Sequence, residues 1–203
     1  MIYEIRSYQV DSENVPEFER RFGSGYVDRA EFSPLAGFWR TTDQPQSEVI
    51  HVWPYQDQAE RTERRALAAQ HPNWPPATGG FVDRMMVELV IPFDFVEEPV
   101  PAAVGPVFEI RYDYFRVADL RAAGDAWSNA IQERSKHDSL VLAGRLEFGQ
   151  TNGIVQIWAH PDEEHRARAV AAAGAGATRP ADCPAPLSTL VKRLAPAEFS
   201  PLQ

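Results

Sequence analysis

Polar and apolar positions alternate with period two from Met1 to Val10. Tyr3, Ile5 and Ser7 fall on one side and Glu4, Arg6 and Tyr8 on the other, which predicts a half-buried strand. The period then lengthens. Val15, Phe18, Phe22 and Tyr26 recur at helical spacing through about residue 32, behind an Asn14-x-x-Glu17 sequence that reads as a capping box with Pro16 in the first turn. Leu35 to Thr42 predicts a second strand, and Asp43 to Gln46 a turn. The apolar run Glu48 to Tyr55 predicts a third strand, and Asp57 to Gln70 a charged amphipathic helix. A Pro/Gly-rich loop from His71 to Gly80 leads to a fourth strand, Val82 to Phe93. The order β-α-β-β-α-β is the ferredoxin-like arrangement.

After a proline-rich stretch from Pro92 to Pro106 the pattern restarts. Val107 to Arg111 matches Ile2 to Arg6 at an offset of 105 (108 − 3), and Trp158 matches Trp53 at the same offset. A helix from about Ala118 to His137 is predicted, carrying Leu120, Ala123, Trp127 and Ile131. Strands at Leu140–Phe148 and Gly153–His160, a helix from Asp162 to Ala173 and a last strand from Leu187 to Leu194 complete the second set. The expected organisation is a first repeat at 1–95, a linker at 96–105 and a second, more divergent repeat at 106–203. The fold class is α+β, with two tandem ferredoxin-like units.

Charge and composition remove several functions. A net charge of −9 disfavours nucleic acid and anionic membrane surfaces as partners. Lys136 and Lys192 are the only lysines, so the basic residues are overwhelmingly arginine, a side chain suited to paired, partly buried sites. The single cysteine, Cys183, allows neither an internal disulfide nor a cysteine zinc site. With no signal-peptide pattern at the start and no apolar stretch of spanning length, a cytoplasmic location is expected.

The strands at Ile2–Tyr8, Leu35–Trp39 and Val49–Tyr55, and the helix bearing Asp57, Arg61, Glu63, Arg64 and Arg65, resemble the NIPSNAP family. The second set keeps Glu109, Arg111, Gly144, Trp158 and Phe199-Ser200-Pro201-Leu202, with Gln156 where the first has His51. The resemblance implies a dimeric α+β barrel in which two ferredoxin-like sheets face each other. It carries no catalytic residue set, because that fold hosts many chemistries.

The residues suggest where chemistry would sit. Tyr3, Ile5, Ile50, Val52, Met85, Val87 and Leu89 are expected to face the helices. Glu4, Arg6, Tyr8, Val49, His51, Trp53, Tyr55, Arg84, Met86 and Glu88 are then expected on the opposite face, covered by Glu109, Arg111, Asp113, Gln156 and Trp158 of the second repeat in a barrel closed within one chain. From that lining, His51 is the candidate base and Arg6 the group holding a developing enolate. Glu4, Tyr8, Trp53, Tyr55, Arg84, Glu109, Arg111 and Trp158 are candidate ligand contacts. A structural role for each is the alternative: a hydrogen-bonded strand histidine, Glu–Arg ion pairs, and core tryptophans.

His160, Glu163, Glu164 and His165 have metal-ligand types but no metal-site spacing, and 174–177 lacks the lysine of a phosphate loop, so no metal or cofactor is expected. His71 and Trp74 are placed where a lid could form. The expected function is binding of a small, partly aromatic or acyl ligand in the barrel or a sheet–helix cleft, in a protein that pairs as a homodimer. The alternatives are a cofactor-independent oxygenase, or an isomerase or cyclase of a carbonyl compound, and a structural protein with a filled barrel.

Overall fold

The computed structural model describes residues 1–134, 138–172 and 182–203. The run at 174–177 and the expected ends of two helices, at His137 and Ala173, lie outside them. The elements are β1 (Ile2–Val10), α1 (Val15–Arg29), β2 (Gly37–Thr41), β3 (Glu48–Tyr55), α2 (Gln58–Ala68), β4 (Val82–Pro92), β5 (Val107–Tyr114), α3 (Leu120–Arg134), β6 (Ser139–Phe148), β7 (Gly153–His160), α4 (Glu163–Ala172) and β8 (Ser188–Pro196). The same order of strands and helices therefore occurs twice. None of the described helices is long and apolar enough to cross a membrane.

Local chemistry explains most boundaries. Asp57 caps α2 by accepting from the Glu60 amide at 2.9 Å, while the Glu60 carboxylate reaches back to the Gln56 amide at 2.6 Å. Asn14 does not cap α1. It sits in helical backbone at the end of a short 3-10 turn, Ser12–Asn14, and Glu17 is drawn instead to Arg20 and Arg21, each at 2.7 Å.

The strands close into one antiparallel barrel in the order β1-β3-β2-β8-β5-β7-β6-β4. Two seams join the halves. At one, Trp39, Arg40 and Thr41 of β2 pair with Pro196, Ala195 and Leu194 of β8. At the other, Leu89 to Pro92 of β4 pair with Phe148 to Gly144 of β6. The stretch between the halves is tied down. Ala102 forms a parallel bridge with Leu202, and Val96, Ala102 and Val104 pack against the barrel interior. Gly105 has φ +131°, and a Cβ there would lie 2.2 Å from the His160 carbonyl, so only glycine fits this crossing.

Strand register overturns the expected assignment of faces. Directly opposed residues share a face, and Ile5 stands opposite Val52 on β3 and Glu88 on β4. Tyr3, Ile5, Ile50, Val52 and Val90 therefore point into the barrel with Trp39, Phe108, Ile110, Tyr112, Val155, Ile157 and Leu194, forming one core drawn from both halves. Glu4, Arg6, Tyr8, His51, Trp53 and Tyr55 point outward beneath the helices. In β4 the expected phase is off by one residue: Met85, Val87 and Leu89 share the face of Tyr8, Arg6 and Glu4, and Glu88 is interior. The physical reason is dryness. An interior sealed on all sides favours the more purely apolar face, each large side chain contributing about 2–3 kcal/mol, whereas helices can bring arginines to the face that carries Glu4.

Candidate functional site

The first-half residues singled out from the sequence gather between the outer face of β1, β2 and β3 and the helices α1 and α2. His51 lies at the centre, 1% exposed. The Phe38 ring stacks on it at 5.5 Å, and Phe22 of α1 and Tyr8 of β1 each stand 5.0 Å away, so three elements wall it with aromatic carbon.

The hydrogen bonding of His51 sets its chemistry. The Trp53 indole Nε1 lies 2.6 Å from His51 Nδ1. An indole N–H only donates, so Nδ1 is the acceptor and the neutral ring carries its proton on Nε2. Burial, followed by the positive charges of Arg6 and Arg65, holds its pKa well below the usual 6.5. Nε2 is buried without a hydrogen-bond partner among the described residues. His51 is thus arranged as a neutral donor, its one basic lone pair already engaged.

Beside it, Glu4 is fully buried and meets Arg6 at 3.0 Å, Arg65 at 2.9 Å and Arg61 at closer range. Burial would raise the Glu4 pKa, but the arginines outweigh it and hold the carboxyl below its usual range. Arg6 also donates to the Tyr8 hydroxyl at 2.7 Å. Tyr55 accepts from Arg29 at 3.2 Å. Arg84 does not join this group: it stands opposite Gln9 and is exposed.

The second-half residues form a separate cluster rather than covering the first. Glu109 pairs with Arg166 of α4 at 2.6 Å, Arg111 with Asp113 at 2.7 Å, and Trp158 donates to Gln156 Oε1 at 3.1 Å. The packed barrel core lies between the two clusters. The histidines at 160 and 165 both approach Asp138 Oδ1, at 2.8 and 3.2 Å. No three metal-ligating side chains converge among the described residues.

Trp74 packs at the edge of the aromatic nest around His51. This half-buried ring stands 5.4 Å from Phe22 and 6.1 Å from Trp53, both of which touch His51. Its neighbours Pro72, Asn73, Pro75 and Pro76 line an open cleft of about 650 Å³ along α1 with Arg20, Arg21 and Gly25. Arg29 and Ser33 also belong to this region and were not singled out from the sequence. Applying the offset of 105 to every buried position, rather than to the strand motifs alone, would have paired them with Arg134 and Asp138.

The NIPSNAP family model matches residues 3–97. Human Protein NipSnap homolog 3A is 24% identical over 176 residues, covering 82% of this chain and 70% of its own length. Two solved structures, each described as a "putative monooxygenase", share the fold across nearly the whole chain. That from Fusobacterium nucleatum has a TM-score of 0.67 at 8% identity, covering 97% of this chain and 92% of its own. That from Lactobacillus acidophilus has a TM-score of 0.62 at 13% identity, covering 96% and 92%. Residues 3–97, just under half of the chain, thus carry the NIPSNAP match.

Proposed function

We propose that the chain binds a small aromatic ligand bearing a carbonyl or phenolic oxygen, seated between α1 and the sheet in the first half rather than inside the barrel. The observation that carries this reading is the buried Nε2–H of His51, a donor without an acceptor inside a nest of Tyr8, Phe22, Phe38 and Trp53. Leaving such a group unpaired costs about 1–3 kcal/mol, a penalty that a ligand oxygen would relieve on binding. The barrel interior suits a ligand less, since Tyr3, Trp39, Phe108 and Ile110 fill it. Trp74 acts as the door between the cleft and the nest.

A second reading is enzymatic and shares the site. A neutral histidine whose proton faces the ligand would stabilise an oxyanion or enolate as an electrophile, in place of the general base expected from the sequence. The fold neighbours described as monooxygenases support an oxygenase as the enzymatic option, here read as cofactor-independent with His51 as the electrophile.

Titration calorimetry with methyl 2-naphthoate, a neutral aromatic carbonyl compound, tests the binding reading. Binding is expected, weakened ~2–10-fold by His51→Leu through loss of one hydrogen bond, with faster association in Trp74→Ala. Affinity unchanged by His51→Leu would reject the site.

A further inference from the structure

Arg29 is a buried cation of the first half with no carboxylate within ion-pair distance among the described residues, Glu4 acting on it only at longer range. It is 3% exposed. Its guanidinium lies 4.6 Å from the Trp53 ring centroid and 5.8 Å from that of Trp74, and one terminal nitrogen donates to the Tyr55 hydroxyl at 3.2 Å. The other terminal nitrogen has no hydrogen-bond partner, and no carboxylate of the described residues forms an ion pair with it. A guanidinium taken out of water without an anion costs several kcal/mol.

The second half contains the same construction with the charge balanced. Arg134 stands at the position of Arg29 (134 − 105) and lies 3.6 Å over the ring of Trp158, as Arg29 lies over Trp53. Its Nε donates to Asp138 at 3.4 Å. Asp138 occupies the position of Ser33 (138 − 105). Ser33 is likewise buried, and its hydroxyl faces that of Tyr55 rather than a charged group. The first half thus keeps the cation and replaces its anion with a shorter, neutral side chain. Ser33 and Tyr55, the latter bound to Arg29, also line a cavity of about 250 Å³ whose other polar groups are Glu31, Glu60 and Arg64.

We infer that Arg29 and Ser33 receive the carboxylate of an aromatic acid whose ring system occupies the His51 nest, doing for the ligand what Asp138 does within the chain. This deepens the binding reading above and rests on it. Trp53 joins the two parts of the site, since its ring carries Arg29 and its indole N–H is bound to His51. A charge-assisted pair at a desolvated guanidinium favours the acid over its ester by ~10–100-fold.

The test compares 6-hydroxy-2-naphthoate, whose phenolic oxygen can meet His51 while its carboxylate meets Arg29, with its methyl ester by calorimetry on the full chain, wild type and Ser33→Asp, with circular dichroism confirming the fold. The acid is expected to bind at least ~10-fold more tightly than the ester to wild type. Ser33→Asp, which gives Arg29 an internal partner, should abolish that preference and leave ester binding in place. Arg29→Gln should do the same, and serves if Ser33→Asp does not fold. Equal binding of acid and ester to wild type, or a preference that survives either substitution, overturns the carboxylate assignment while the aromatic site stands. Binding of neither probe sinks both.

Discussion

The two halves carry matching outer-face clusters that differ in how a buried arginine is balanced. In the second half, Arg134 has Asp138, Trp158 has Gln156 and Glu109 has Arg166. In the first, Trp53 has His51 and Glu4 has three arginines, but Arg29 has no carboxylate within ion-pair distance among the described residues; His51 Nε2 and its counterpart Gln156 Nε2 are alike in having no hydrogen-bond partner among them. The scaffold is the same; the substitutions sit at Ser33 against Asp138, His51 against Gln156 and Tyr55 against His160. The comparison isolates one difference, a buried guanidinium with a carboxylate beside it in the second half and none within ion-pair distance in the first.

The largest expected effect comes from breaking the closed side. Asp138→Ser copies the first half and leaves Arg134 buried without its partner, and should cost about 3–5 kcal/mol in urea unfolding. A loss no greater than that of an ordinary surface substitution would mean that Arg134 never depended on the pair.

A smaller effect, specific to the first half, is a pH dependence. Because the His51 pKa is held well below 6.5, the unfolded chain takes up a proton in the window just under 6.5 that the folded chain refuses. Its contribution is therefore present above that value and is lost as the pH falls, by up to about 1.4 kcal/mol per pH unit. His51→Gln, which copies Gln156, should flatten the slope between pH 6.5 and 5 relative to wild type and change stability little at pH 8. Superimposable pH profiles would contradict the buried neutral state.

The smallest effect concerns redundancy around Glu4. Arg65 is 41% exposed and is one of three guanidiniums on that carboxylate, so Arg65→Met should cost less than about 1 kcal/mol. Arg166→Met, removing the ion pair of buried Glu109, should cost more. Equal losses in thermal unfolding would show that the extra arginines do not share the load.

Much of the architecture was legible in the residues. Alternation located the first strand, apolar runs between turn signals the others of the first half, and the offset between Tyr3 and Phe108 announced that the order of elements recurs. The faces were not legible. Alternation in Tyr3-Glu4-Ile5-Arg6 says that two faces differ, but not which one a helix will cover, and both choices bury aromatic residues. The phase of β4 was also ambiguous, because Arg84-Met85-Met86-Val87-Glu88 alternates poorly and only pairing with β1 settles it. Of the site, His51, Trp53, Tyr8, Arg6 and Glu4 were found as one group, because they alternate on adjacent strands. Arg29 and Ser33 escaped because the end of a helix and the loop after it carry no periodic signal.

The two seams have a consequence for the first half by itself. Its β2 and β4 are the outer strands of a four-stranded set, and in this chain their free sides are occupied by β8 and β6. Severed from residues 106–203, that set would present two bare hydrogen-bonding edges and a greasy face, a template that a second copy could complete. Joining both sets on one polypeptide turns closure of the ring into an internal event, independent of how many molecules share the solution.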